Sequence, residues 1–310
     1  MNTTAKINKT KKSKSVLSAR LANNWQLYAM LLVPIVLTFV YKYLPMYGLQ
    51  IAFRDYSEAK GIANSDFVAF KWFERLFRAP NAVRMIKNTF LISLYGLIAS
   101  FPVPIIISLA LNQLKNKSLK KWTQTVIYAP HFISVMVIAG MIHVFLSPNG
   151  GLFNLLLGTE IDYINQPELF RTIYILSGIW QEAGWGTIIY LATLSSIDES
   201  LYEAAKIDGA SLWQRIWNID IPHLIPIIML SLIMSVSSLM NVGFEKAYLL
   251  QTNLNKPTSD IIAVHIYEQG IQRTKYSYSA AVGLFNSGIN LILLFIVNRV
   301  VKKYSEISFV

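Results

Sequence analysis

Six stretches of this chain are each long and apolar enough to cross a bilayer, and that leaves few architectures open. A helix spans the hydrocarbon core with about 20 mostly apolar residues at a rise of about 1.5 Å per residue. Residues 27–47, 86–111, 123–146, 170–196, 221–241 and 281–301 all meet that condition. Only 15% of the residues are charged and 54% are hydrophobic, whereas a soluble domain carries roughly a quarter charged residues. The pattern predicts an all-α integral membrane protein with six transmembrane helices.

Charge orients the spans. With the N-terminus in the cytosol, the connection NQLKNKSLKKW after the second span is also cytosolic and holds four lysines. The following connection, 147–169, then lies outside and carries Glu160, Asp162 and Glu168 without a basic residue. Arg299, Lys302 and Lys303 return to the inside. The outer segments 48–85 and 242–280 hold ten basic residues between them, but long loops weigh little in the positive-inside rule. Both termini are therefore expected in the cytosol, in a multi-pass membrane protein. Residues 1–26, with six basic and no acidic residues, read as a disordered cytosolic tail that either meets anionic membrane lipid or does nothing specific. The first span and its outer segment fill 27–85, a five-helix core 86–303, and a short cytosolic tail 304–310. The net charge of +11 is spent beside apolar spans, so no nucleic-acid partner is expected.

Between the fourth and fifth spans, residues 198–222 read like a piece of a soluble protein. Ser200-x-x-Glu203 and Ser211-x-x-Gln214 have the spacing of capping boxes, in which serine and carboxylate or amide satisfy two backbone N–H groups reciprocally. Leu201, Ala204, Ala205 and Asp208 share one helical face, flattened by the alanines so that a partner can approach closely. Gly209 is placed to end the first helix in the left-handed conformation. Pro222 should close the second helix, through Trp213 and Trp217, and with Pro226 mark an elbow into the fifth span.

The stretch EAAKIDGASLWQRIWNIDIP resembles the EAA loop of type I ABC importer permeases. Glu203, Ala204, Ala205, Gly209, Ile219 and Pro222 match it, and Ile221 stands where leucine is usual. The segments KYLPMYGLQIAFRDY, APHFISVMVIAG, LSPNGGLFN, GWGTIIYLATLSSID, NVGFEKAYLL and YSAAVGLFNSGINLILL resemble the LplB-like branch of polysaccharide and complex-oligosaccharide permeases. The resemblance covers nearly the whole chain after the tail. It implies a coupling helix that carries Glu203 to Gly209, Asp208 included, into the cleft of a cytosolic ATPase. It also implies a second homologous permease, two cytosolic ABC ATPase subunits, an extracytoplasmic substrate-binding protein and carbohydrate as cargo. A permease for another solute, an ion-coupled carrier or channel, and a membrane scaffold for an ATPase stay open as alternatives.

The chain carries little catalytic chemistry. A P-loop needs a Gly-Lys pair, and none occurs. ATP and its magnesium are therefore expected on the partner ATPase, with no cofactor on this chain. The four histidines have no metal-ligand spacing, and there is no cysteine. Candidates for a substrate pathway lie in GIWQEAGWGTIIY of the fourth span. Glu182 should face a cavity or a partner, because an ionised carboxylate at a helix centre costs about 2.5–3.5 kcal/mol to insert. Trp180 and Trp185 offer flat faces to sugar rings, Gln181 and Glu182 bond hydroxyls, and Gly178, Gly184 and Gly186 permit close packing. Asn286 and Asn290, one turn apart, either line the pathway or bond a neighbouring subunit's helix, and His131 behind Pro130 either lines the pore or bonds a neighbouring helix. Lys42 should snorkel at the outer end of the first span, and FVAFKWFERLF should form an amphipathic helix on the outer face.

Overall fold

The computed structural model describes residues 24–304; the predicted tails lie almost wholly outside them. The chain forms two compact units that divide between Val68 and Ala69. The first holds α1 (Trp25–Thr38), which continues through a π turn, Phe39–Tyr43, and a 3-10 stretch, Leu44–Phe53. Lys42 sits in the π turn with an exposed side chain. Two short antiparallel strands follow, β1 (Arg54–Asp55) and β2 (Asp66–Phe67), with Arg54 opposite Phe67. The Arg54 guanidinium donates to the carbonyls of Ala63 at 3.1 Å and Ser65 at 2.9 Å, and so closes the loop between them.

The second unit runs α2 (Lys71–Arg78), α3 (Ala82–Ser100), α4 (Pro102–Asn112), α5 (Lys117–Tyr128), α6 (Val135–Phe145), α7 (Leu152–Leu157) and α8 (Pro167–Ser195). It continues with α9 (Glu199–Ile207), α10 (Leu212–Arg215), α11 (Ile221–Ser237), α12 (Phe244–Leu250), α13 (Lys256–Ser259), α14 (Ile262–Tyr267) and α15 (Tyr276–Tyr304). The amphipathic stretch expected over 67–77 becomes the helix α2, which buries Trp72 and Leu76 and leaves Phe77 exposed.

Four of the expected spans coincide with helices long and apolar enough to cross a membrane: Trp25–Phe53, Ala82–Asn112, Leu212–Ser237 and Tyr276–Val300. The third is not one straight helix. Lys117–Phe132 and Val135–Phe145 meet at 94° and make a fifth span if counted together. The break has a local cause. Pro130 lies in the 3-10 turn Ala129–Phe132, Ile133 is extended, and the Ser134 side chain caps a new helix by accepting from the Val137 amide at 3.4 Å. The fourth segment coincides with α8, which is long enough at 29 residues but less apolar, because Gln181, Glu182 and three glycines occupy its middle. Few of the large side chains on these spans are buried, and Leu176 and Phe295 are among those that face outward, as suits a chain whose solvent is lipid.

Helix α8 is the central post of the second unit. Gly184 lets α5 approach so closely that a Cβ there would lie 1.9 Å from the Ile127 carbonyl oxygen, and Gly186 admits Pro104 of α4. A core of Ile92, Ala139, Phe170, Val242, Leu250 and Ile261 joins α3, α6 and α8 to the segment around α12. Polar groups fix the same junction. Arg84 pairs with the buried Asp260 at 3.0 Å, Asn88 donates to the Pro257 and Asp260 carbonyls, and Arg171 donates to Asn88 at 2.9 Å. These bonds hold the segment from 242 to 262 against α8, and so position the residues described next.

Candidate functional site

The polar insert between α8 and α11 is helical, with one cap moved from its expected place. Asp198, not Ser200, starts α9: its carboxylate accepts from the Ser200 amide at 3.0 Å. Both residues are good caps, and Asp198, directly after the turn that ends α8, meets a free N–H first. That bond holds the exposed Asp198 carboxyl below its ordinary pKa. Gly209 ends the helix as expected, at φ +74°. The Ala210 amide reaches the Ala205 carbonyl at 2.8 Å and the Gly209 amide the Lys206 carbonyl at 3.1 Å, the Schellman pair.

The second capping box is present in both directions, between Ser211 and Gln214 at 2.7 and 3.3 Å. Pro222, however, closes nothing. Helix α10 runs through a π turn, Ile216–Asp220, into α11, so that Leu212–Ser237 is one helix of 26 residues. The Ile221 amide bonds five residues back, to the Ile216 carbonyl, and this shift in the ladder accommodates a residue without an N–H. Ile219 lies inside that turn.

Asp220 is fully buried, and the Tyr202 hydroxyl donates to one of its oxygens while Gln113 donates to the other at 3.0 Å. Burial and the carboxylate beside it raise the Tyr202 hydroxyl well above its ordinary pKa. Through these three side chains, α9 is tied to the end of α4 and to the root of α11. The opposite side of α9 is open: Glu203 and Ala204 are exposed, and Ile207 is 87% exposed. Sequence reasoning passed over Tyr202, Asp220 and Ile207; the i, i+3 spacing of Ala204 and Ile207 was the available signal.

The second group gathers on α8. His131 Nδ1 lies 2.9 Å from Glu182 Oε2, and its ring stacks on Trp185 with centroids 4.3 Å apart and planes 6° from parallel. Three residues singled out in the sequence thus stand together where the 94° break brings His131 over α8. Gln181 is buried and donates to the Ile133 carbonyl at 3.1 Å, satisfying the backbone exposed by that break. Trp180 is half exposed, and no described ring stacks on it. Asn286 and Asn290 both donate to Asn241, at 3.3 and 2.9 Å, and Asn290 accepts from the Met240 amide at 2.9 Å. They secure the chain where α11 ends. Beside them lies a cavity of about 540 Å³, lined by Ser93, Tyr174, Gly186, Ser235, Ser238 and Asn241. Its serines are dispersed along α3 and the second half of α11, so no compact motif announced it.

Residues 100–306 match the model of the family described as binding-protein-dependent transport system inner membrane component. The chain belongs to this family. Its curated relatives include the polygalacturonan/rhamnogalacturonan transport system permease protein YteP of Bacillus subtilis, 40% identical over 96% of this chain and 94% of that one. Protein LplB of the same organism is 37% identical over 94% and 93%. Among solved structures, a chain of the bacterial alginate ABC transporter, in complex with an alginate pentasaccharide-bound periplasmic protein, superposes with a TM-score of 0.85. That chain is 37% identical and is covered over 98% of its length, 94% of this one. The fold is that of a type I ABC permease, a multi-pass transport component and not an enzyme.

Proposed function

We propose that this protein is one transmembrane subunit of an ATP-driven importer that takes oligosaccharides or polysaccharide fragments from an external binding protein. The cargo is inferred from relatives that carry polysaccharides, and the delivery from the alginate transporter solved with its periplasmic protein. In this reading the chain crosses the membrane six times with both termini in the cytosol, and pairs with a second homologous permease and two ATPase subunits that hold ATP and magnesium. Helix α9 is the coupling helix.

The observation that carries the reading is the construction of α9. Its free side, with Glu203, Ala204 and the exposed Ile207, suits a partner's groove, and its other side is bound through Tyr202 and Asp220 to two spans. A movement imposed on the free side is thereby passed to α4 and α11. ATP-driven closure of the ATPases then shifts the permease toward an outward-open state, through contacts that differ between the two states. Sugar passes along α8, where Trp185 and His131 offer flat rings, Glu182 an acceptor, and the serine-lined cavity hydroxyl partners.

Extraction of the tagged chain from its native membrane in mild detergent tests this, with the companions identified by mass spectrometry. An ATPase and a second six-span chain should co-purify, and Glu203→Lys should release the ATPase alone. Recovery of the chain by itself in repeated mild extractions would remove the mechanism.

A further inference from the structure

Lys115, Lys117, Lys120 and Lys121 orient the chain in the sequence but have no role in the account above. Among the described residues none of the four has an acidic partner. No Asp or Glu occurs between Glu74 and Glu160 that could neutralise them locally. Lys120 is half-buried and the other three are exposed. Their place is fixed from both sides. Gln113, just before them, donates to Asp220 at the root of α11. Asn116 then starts α5 by accepting from the Ser118 and Leu119 amides at 2.9 and 3.1 Å. At the far end of α5 the Ile127 carbonyl lies against Gly184, and Thr187 donates to the Tyr128 hydroxyl at 3.4 Å. The lysines therefore stand at the mouth of a helix that descends along α8 into the third span.

The same helix has an apolar side. Leu119, Trp122 and Val126 share one face, and all three are exposed, Trp122 by 69%. Exposed apolar surface continues through Phe132 and Met136, which lie deeper in the span. The stripe is thus part of the surface that meets lipid, with an indole near its upper end and uncompensated ammonium groups at its rim. That order, apolar body, aromatic belt, cationic rim, is the complement of a phospholipid with an anionic head. The free side of α9, by contrast, carries Glu203 and Ile207 and no such stripe.

We propose that α5 is a binding surface for anionic phospholipid of the cytosolic leaflet, with Lys117, Lys120 and Lys121 at its phosphate and an acyl chain along Leu119, Trp122 and Val126. This rests on the reading that places both termini in the cytosol. Each lysine near an anionic leaflet adds about 5-fold to affinity, and salt screens the effect. A lipid seated there steadies the helix that leads into the turn carrying His131.

The test uses the complete transporter, ATPases included, in phosphatidylcholine nanodiscs. The chain has no cysteine, so Ser118→Cys, with partner subunits freed of cysteine, gives one fluorophore site beside the lysines. Nitroxide-bearing phosphatidylglycerol should quench that fluorophore at least about 5-fold more than nitroxide-bearing phosphatidylcholine at low salt, and less so as salt rises. Lys117→Gln, Lys120→Gln and Lys121→Gln combined should bring the ratio to about 1, whereas arginine at all three positions should preserve it. Equal quenching by the two lipids without these replacements would overturn the proposal, as would an excess that survives them. Quenching that appears only after the ATPases are removed would overturn it too, and make α5 a protein contact. In sealed right-side-out vesicles the thiol of Ser118→Cys should be shielded from an impermeant maleimide. Its reaction from outside would refute the orientation and the proposal together; a shielded thiol with equal quenching would refute the proposal alone.

Discussion

Gly209 allows conformation and space to be separated. Its φ is +74°, and a Cβ built on it meets nothing within 4 Å. A side chain there would be penalised for its backbone alone. For an L-residue the left-handed region costs roughly 1–2 kcal/mol, more for β-branched residues, and asparagine tolerates it best. Such a cost changes a two-state population by about 5- to 30-fold. Helix α9 has no buried residue and only nine positions, so the penalty should appear in local order and not in unfolding of the spans. The expected series for ATPase docking is Gly, then Asn, then Ala, then Val, with Gly209→Val weakened about 5- to 30-fold. Titrating the ATPase onto the detergent-solubilised permease pair, followed by binding-protein-stimulated ATP turnover, reads this directly. Docking of Gly209→Val at wild-type affinity would refute the argument. So would an asparagine variant as impaired as valine, since then φ would not be what matters.

Three further outcomes follow from the geometry. Tyr202→Phe deprives the buried Asp220 of a donor and should cost about 1–3 kcal/mol in the thermal stability of the assembled complex, with weaker coupling of ATP turnover to uptake. Because the folded-state pKa of Tyr202 is raised, its contribution should be complete below the unfolded value near pH 10 and fade above it; stability profiles of wild type and Tyr202→Phe that stay parallel through that region would contradict this. Gly184→Ala places a methyl 1.9 Å from the Ile127 carbonyl oxygen, and should destabilise by about 1–3 kcal/mol in a melting assay, whereas Gly288→Ala, with nothing within 4 Å, should not. Glu182→Ala should slow sugar import while leaving co-purification of the ATPase unchanged; import at the wild-type rate across substrates would remove Glu182 from the pathway.

Much of this was legible in one dimension, for identifiable reasons. Long apolar runs are set by lipid solvation, so the Ala82–Asn112 and Tyr276–Val300 helices fall within a few residues of the expected spans. Gly209 was legible because a helix end followed by glycine has one common solution. The break at Pro130 was visible as a proline but not as a 94° turn, because that angle depends on Gln181 capping the Ile133 carbonyl from another helix. Pro222 misled because a π turn absorbs its missing N–H. Asp198 and Ser200 are interchangeable as caps on paper, and only the exit of α8 chooses between them.

Reconstituted transport tests the central claim most directly. Permease pair and ATPases are placed in liposomes with ATP inside and the binding protein outside, and labelled oligosaccharide is followed. Accumulation that requires both internal ATP and the external binding protein, and that is lost with Glu203→Lys, is the predicted result. Accumulation without ATP under an imposed ion gradient would contradict it and make the chain a carrier.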